Sequence, residues 1–255
     1  MYRFIWLKDL KAEVNTWKGL IWLLVTALIF SATSYLFLTN RELSLLDQSE
    51  MLWLFSKVII GAALLVVVID ASSLITSEFE NETIESLLLS PLALGSLVLG
   101  KLLAALTMWL VVYAAAVPYM VVTAAGSRLT TAFLAYTAIF GTLAVLGFTL
   151  LVLGVSFFYR SLRNTLTTAL VILLALVLPA LFSPVLKTSA LARIAGTANP
   201  LDSIFSGLDH VLVDYHTALA ANLGYLVPVL VFCVLALGFL MLALRSFQRR
   251  GIVKD

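Results

Sequence analysis

Four glutamates and no basic residue occupy the nine positions from Ser77 to Glu85, at Glu78, Glu80, Glu82 and Glu85. Their chemistry is electrostatic recognition, and a basic surface on the same side of a membrane is the natural partner. Ser77 followed three residues later by Glu80 has the spacing of a capping box and predicts a helix start. On that helix Glu78, Glu82 and Glu85 fall within about 60° of one another, with Ile84, Leu87 and Leu88 on the opposite side. Glu80 folds back to the helix start as the third residue of the box. The segment 77–90 therefore reads as one amphipathic helix, apolar towards the membrane and acidic towards the cytosol, ended by Ser90-Pro91. The blander reading is that the acids merely keep an interfacial helix soluble. Against it stands the positive-inside tendency, which favours lysine at such a site and finds none before Lys101.

Other reactive groups are sparse. The histidines are His210 and His216, in the segment 187–222 beside Asp209 and Asp214. A metal site made from these four is conceivable, but they read as solvent-facing loop residues, and no metal is expected. Cys233 falls inside an apolar run and reads as a buried free thiol. Asp70 and Lys57 lie near opposite ends of another run. Each can reach the interface by snorkelling. A second reading of Asp70 has it face the bundle and pair with Arg160 or Arg163, and both readings stand.

Long apolar runs must position these groups. The chain of 255 residues is 62% apolar and 12% charged, with a mean hydropathy of +1.08, well outside the range of a soluble domain. Runs long enough to cross about 30 Å of hydrocarbon occur at 19–38, 51–72, 102–125, 132–158, 165–186 and 223–244. Strand-like alternation is absent, so their backbone groups must be satisfied within helices. The fold class is an all-α polytopic membrane protein with six transmembrane helices. With the N-terminus inside, Arg3, Lys8, Lys11, Lys18, Lys101, Arg160, Arg163, Arg245, Arg249, Arg250 and Lys254 gather on the inner side. Only Arg41, Lys57, Arg128, Lys187 and Arg193 fall outside, so both termini are expected in the cytoplasm. A net charge of +2 gives no reason to invoke nucleic acid; the basic ends follow from topology and anionic lipid.

Residues 1–18 carry Leu7, Leu10, Val14 and Trp17 on one helical face. They read either as an amphipathic interfacial helix or as a charged anchor. Pro118 is expected to kink the third span or loosen its outer third, and Pro179 and Pro184 to break the outer end of the fifth. Gly141, Ala144, Gly147 and Gly154 have a spacing that lets another helix come close. In the outer loop 187–222, Asn199 is placed to cap a helix, with Pro200 at its first position and Asp202 in its first turn. Leu201, Ile204, Phe205, Leu208, Val211 and Leu212 then keep the rhythm of one apolar face.

The order of these elements resembles the permease subunits of type-2 ABC exporters. The resemblance rests on Glu80, Glu82, Thr83, Ile84 and Glu85, then Leu87 to Leu89, Ser90-Pro91 and Gly100-Lys101. Lys8-Asp9-Leu10 ahead of the first span and Asn199-Pro200-Leu201 before the last are similar to further recurring pieces, so the likeness covers the whole chain. One position departs: the family usually has glycine where Glu82 stands, and glutamate there is expected to make the segment more helical. The resemblance implies that the helix after span two is a coupling helix docking on a nucleotide-binding subunit through Glu78, Glu80, Glu82, Thr83, Glu85, Ser90 and Pro91. It likens residues 1–18 to a connecting helix and the Asn199 segment to outer re-entrant helices.

A phosphate loop of the form G-x-x-x-x-G-K-[ST] is absent, so this chain is expected not to be an enzyme by itself or to hold a cofactor. ATP and Mg would be bound by a partner ATPase, and a second permease copy or relative would complete a dimer in a prokaryotic inner membrane. A membrane hydrolase would need a nucleophile with its base, or metal ligands, at membrane depth, and the spans hold no acidic pair. A secondary transporter would show ionisable residues or broken helices near the midplane of both halves. A haem-exporter-like membrane subunit of cytochrome c maturation shares the LLLSPLAL run, while Asn199-Pro200 favours the general exporters. The cargo is not legible in the sequence.

Overall fold

The computed structural model describes Trp6 and residues 17–39, 47–83, 94–181 and 199–250. Seven helices occur among them: α1 (Trp17–Thr39), α2 (Gln48–Glu80), α3 (Leu94–Thr123), α4 (Thr130–Tyr159), α5 (Leu162–Leu181), α6 (Pro200–Leu212) and α7 (Leu219–Arg250). All but α6 are long and apolar enough to cross a membrane, which makes six candidate spans, and no strand occurs among the described residues. The all-α polytopic class expected from the apolar runs is the class observed. The predicted helix over 1–18 lies outside the described residues apart from Trp6, Trp17 and Lys18, and so do Pro184, Glu85, Ser90 and Pro91.

Helix α2 departs most from expectation. A break after residue 72 and a fresh start at Ser77 were predicted, yet the helix runs unbroken for 33 residues. Asp47 caps its start by accepting the Gln48 amide at 2.8 Å. At about 1.5 Å per residue it is about 50 Å long, so its last turns outreach a hydrocarbon layer of about 30 Å. The hydroxyls near its end do not cap. Ser72, Ser73 and Ser77 donate back to the carbonyls of Val68, Asp70 and Ser73 at 2.7, 2.8 and 2.6 Å. A capping hydroxyl needs a free N–H in front of it, and inside a continuing helix those groups are already in the ladder.

Helices α2 and α4 form the centre. Helix α2 packs on α1, α3, α4, α5 and α6, while α4 packs on α3, α5, α6 and α7. Close approach to α4 depends on small residues, as the spacing suggested. A β-carbon on Gly141 would lie 2.5 Å from the Trp109 ring of α3, and one on Gly147 or Gly154 would lie 2.7 Å from the rings of Phe232 or Phe239 on α7. Helix α3 stays helical through Pro118 to Thr123. Two apolar cores result. The larger contains Phe55, Trp109, Phe133, Phe140 and the buried face of α6. The smaller contains Ile75, Leu97, Leu153, Phe157, Leu240 and Phe247 and surrounds the end of α2.

Candidate functional site

Helix α2 ends in a defined turn. Asn81 is the C-cap, and Glu82 has a left-handed φ of 57°. The Thr83 amide donates to the Glu78 carbonyl at 3.0 Å and the Glu82 amide to the Phe79 carbonyl at 3.2 Å. That pair of bonds is a Schellman closure with Glu82 at the position that usually belongs to glycine. The expectation that glutamate makes this segment more helical is overturned: Glu82 takes the glycine conformation and ends the helix.

The turn redistributes the acids. Glu78, expected on a solvated face, is buried, and its Oε1 accepts from Lys101 Nζ at 2.6 Å. Burial of both groups joins α2 to α3 by a charge-assisted bond in low dielectric. Glu80 does not fold back on Ser77; its Oε1 accepts the Leu162 amide at 2.8 Å, near the N-terminus of α5. A carboxylate there meets a free N–H and the positive end of the helix dipole. Glu82 and Thr83 are exposed. A single acidic face of Glu78, Glu82 and Glu85 therefore does not form, because Glu78 turns inward and the helix stops before Glu85, which lies outside the described residues.

Phe79 supplies the third tie. Its ring meets Phe157 of α4 at 6.1 Å and Phe247 of α7 at 5.6 Å, and those two meet each other at 5.6 Å. Arg160, the left-handed C-cap of α4, holds its guanidinium 5.2 Å from the Phe247 ring and 5.9 Å from that of Phe79. Asp70 is buried nine residues back along α2, while Arg163 is exposed. Arg160 thus engages aromatic rings, and Lys101 is the base that meets Glu78 at this end. Gly95 to Lys101 has the spacing of a phosphate loop but lies inside α3, is followed by Leu102 and spends its lysine on Glu78.

At the other end, α6 forms from Pro200, with the Asn199 side chain accepting the Leu201 amide at 3.0 Å and donating to the Leu176 carbonyl of α5 at 2.7 Å. Leu201, Ile204, Phe205, Leu208, Val211 and Leu212 are buried, so the helix packs on the bundle. The Trp53 indole of α2 donates to the Phe205 carbonyl at 2.8 Å, and Lys57 Nζ stands 3.2 Å over the Trp53 ring. Burial pushes the Asp209 carboxyl above its ordinary value and Asp214 adds to the rise, while Lys57 opposes it, Glu50 reinforces it and His210 opposes it.

A family model described as ABC-2 family transporter protein matches residues 4–252, almost the entire chain. The chain belongs to this family. A search of curated proteins returned no match. As an ABC-2 protein with six apolar helices it is an integral membrane protein and a permease subunit of an ABC transporter, and the family implies association with an ABC ATPase. For the ABC-2 chain, sequence reasoning named Lys101 only as part of the Gly100-Lys101 element, and missed both its pairing with Glu78 and the Phe79, Phe157 and Phe247 rings. A lone lysine early in an apolar helix is the signal that pointed to a buried partner, since such a charge is rarely left unpaired.

Proposed function

We propose that this chain is the permease of an ATP-driven exporter, and that the end of α2 from Glu78 to Thr83, with the segment after it, receives the motion of a separate ATPase subunit. The observation that carries this reading is the convergence on one turn of α2: Lys101 of α3, the Leu162 amide of α5, and Phe157 and Phe247 of α4 and α7. A push on an exposed loop with no such ties would be lost in local motion. Here it is delivered to five helices at once, as a hinge or shear of packed elements requires.

In this proposal two permeases, identical or related, line the path in a prokaryotic inner membrane, and two ATPase subunits bind ATP and Mg beneath them. The chain itself catalyses nothing. ATP-driven closure of the ATPase pair shifts the α2 ends, the permease interface opens outward, and hydrolysis resets it. Glu82, Thr83, Glu85, Ser90 and Pro91 are the proposed contacts, while the buried Glu78 and the surface Glu80 act as struts to α3 and α5.

The test is co-purification with the native ATPase followed by charge reversal at Glu82, an exposed position. Glu82→Lys should leave the protein folded and lower ATPase stimulation and transport together by at least tenfold. Full transport and full stimulation in Glu82→Lys combined with Glu85→Lys would remove the docking assignment.

A further inference from the structure

The turn from α6 into α7 lies at the opposite end of the bundle from Glu78. Val213 and Asp214 send their amides back to the Asp209 carbonyl at 2.7 and 3.3 Å, and Tyr215 adopts a left-handed φ of 60°. The chain reverses there. The His216 amide donates to the His210 carbonyl at 3.1 Å, and the two imidazoles lie parallel within 7°, their centroids 4.3 Å apart. Asp214 joins them: one ligand atom from each of His210, Asp214 and His216 falls within 4.8 Å of the other two.

A buried amide sets the chemistry of this group. Asn222 is fully buried in α7, and its Nδ2 donates to the carbonyls of His216 and Ala218 at 2.8 and 3.0 Å. Carbonyls only accept, so the nitrogen must face them and Oδ1 must face His210 Nδ1, 3.0 Å away. An amide oxygen also only accepts, so the proton sits on Nδ1 and the neutral ring keeps the lone pair on Nε2. The Tyr136 hydroxyl, 3.4 Å from Asn222 Nδ2, supports the same amide from α4.

We infer that His210, Asp214 and His216 form a binding site for a divalent transition-metal cation, with Zn2+ the best match to two imidazoles and a carboxylate. Bonds of about 2.0–2.2 Å in a tetrahedral site place ligand atoms about 3.4 Å apart. Rotation of the exposed Asp214 and His216 side chains closes the gap from 4.8 Å. Asn222 is the outer partner that holds a metal-bound histidine in tautomer and direction. Three protein ligands leave one position for water, and the ion fastens the end of α6 to the chain entering α7.

The test uses the full chain, without a histidine tag, in nanodiscs, titrated calorimetrically with Zn2+ alone and spectroscopically with Co2+. One Zn2+ per chain and a four-coordinate Co2+ absorption are expected. His216→Ala and Asp214→Ala, both at exposed positions, should each weaken Zn2+ binding at least tenfold, and Asn222→Ala by about 10- to 100-fold through the freed imidazole. The surface variants decide the matter even where Asn222→Ala does not fold. No stoichiometric Zn2+ binding in the wild type, or binding unchanged in the Asp214→Ala, His216→Ala double variant, overturns the site.

Discussion

Glu82 carries a β-carbon at a backbone position where most residues lose about 1 kcal/mol or more. Glu82→Gly should therefore raise the melting temperature, by the equivalent of about 1 kcal/mol, while Glu82→Val, β-branched, should lower it. Thermal unfolding of the two variants in one detergent checks the order, and equal midpoints would contradict the left-handed assignment. The Glu78–Lys101 pair makes a different demand. Removing one buried partner strands the other charge, so Lys101→Met should destabilise by about 3–5 kcal/mol. Neutralising both, as Glu78→Gln with Lys101→Met, should recover most of that loss, because the desolvation cost disappears with the charges. A double-mutant cycle on chemical unfolding measures the recovery.

Glycine acts at the level of helix contacts, and the same substitution has opposite consequences in two helices. A β-carbon on Gly207 of α6 would lie 2.7 Å from the buried Phe140 ring and 3.0 Å from the Tyr225 β-carbon, so α6 would have to move off α4 and α7. One on Gly238 of α7 meets nothing within 4 Å. Gly207→Ala should cost about 1–3 kcal/mol as overpacking, whereas Gly238→Ala should cost nothing and gain from helix propensity. Comparing unfolding midpoints tests both signs. The elements themselves were legible to different degrees. Helix α6 could be read from Asn199, Pro200, Asp202 and its apolar stripe because cap and stripe are local patterns. The end of α2 could not, since Ser77 and Glu80 satisfy the capping-box spacing equally well inside a continuing helix. The bonds that decide it come from Lys101 and Leu162, 23 and 82 positions away from their acids. His210, Asp214 and His216 could be named from the sequence, but their grouping could not, since the left-handed Tyr215 is what brings His216 back over His210.

Taken as a whole, the molecule has two tied ends joined by α2 and α4. Composition alone predicted six spans, because a bilayer leaves the backbone few choices. How the helices are fastened was not legible, as it depends on aromatic and ionic contacts between segments distant in the chain. Fastening makes a prediction about distant motion. Lys101→Met removes the ion pair between α2 and α3, yet amide exchange should rise around Phe157 in α4 and Phe247 in α7, because Phe79 loses its anchorage. Hydrogen exchange read by mass spectrometry would locate the change, and a rise confined to α2 and α3 would show that the aromatic contacts transmit nothing.

The unbroken course of α2 sets the scale of that transmission. Its first turn is held where Gln48 Nε2 donates to the carbonyls of Thr123 and Ala125, and its last by Lys101 and Phe247. A bar about 50 Å long that tilts by about 5° around its middle carries each tip sideways by about 2 Å, in opposite directions. Under the proposed function, such a tilt would turn displacement at the Glu78 tip into an equal and opposite sweep at the Gln48 end.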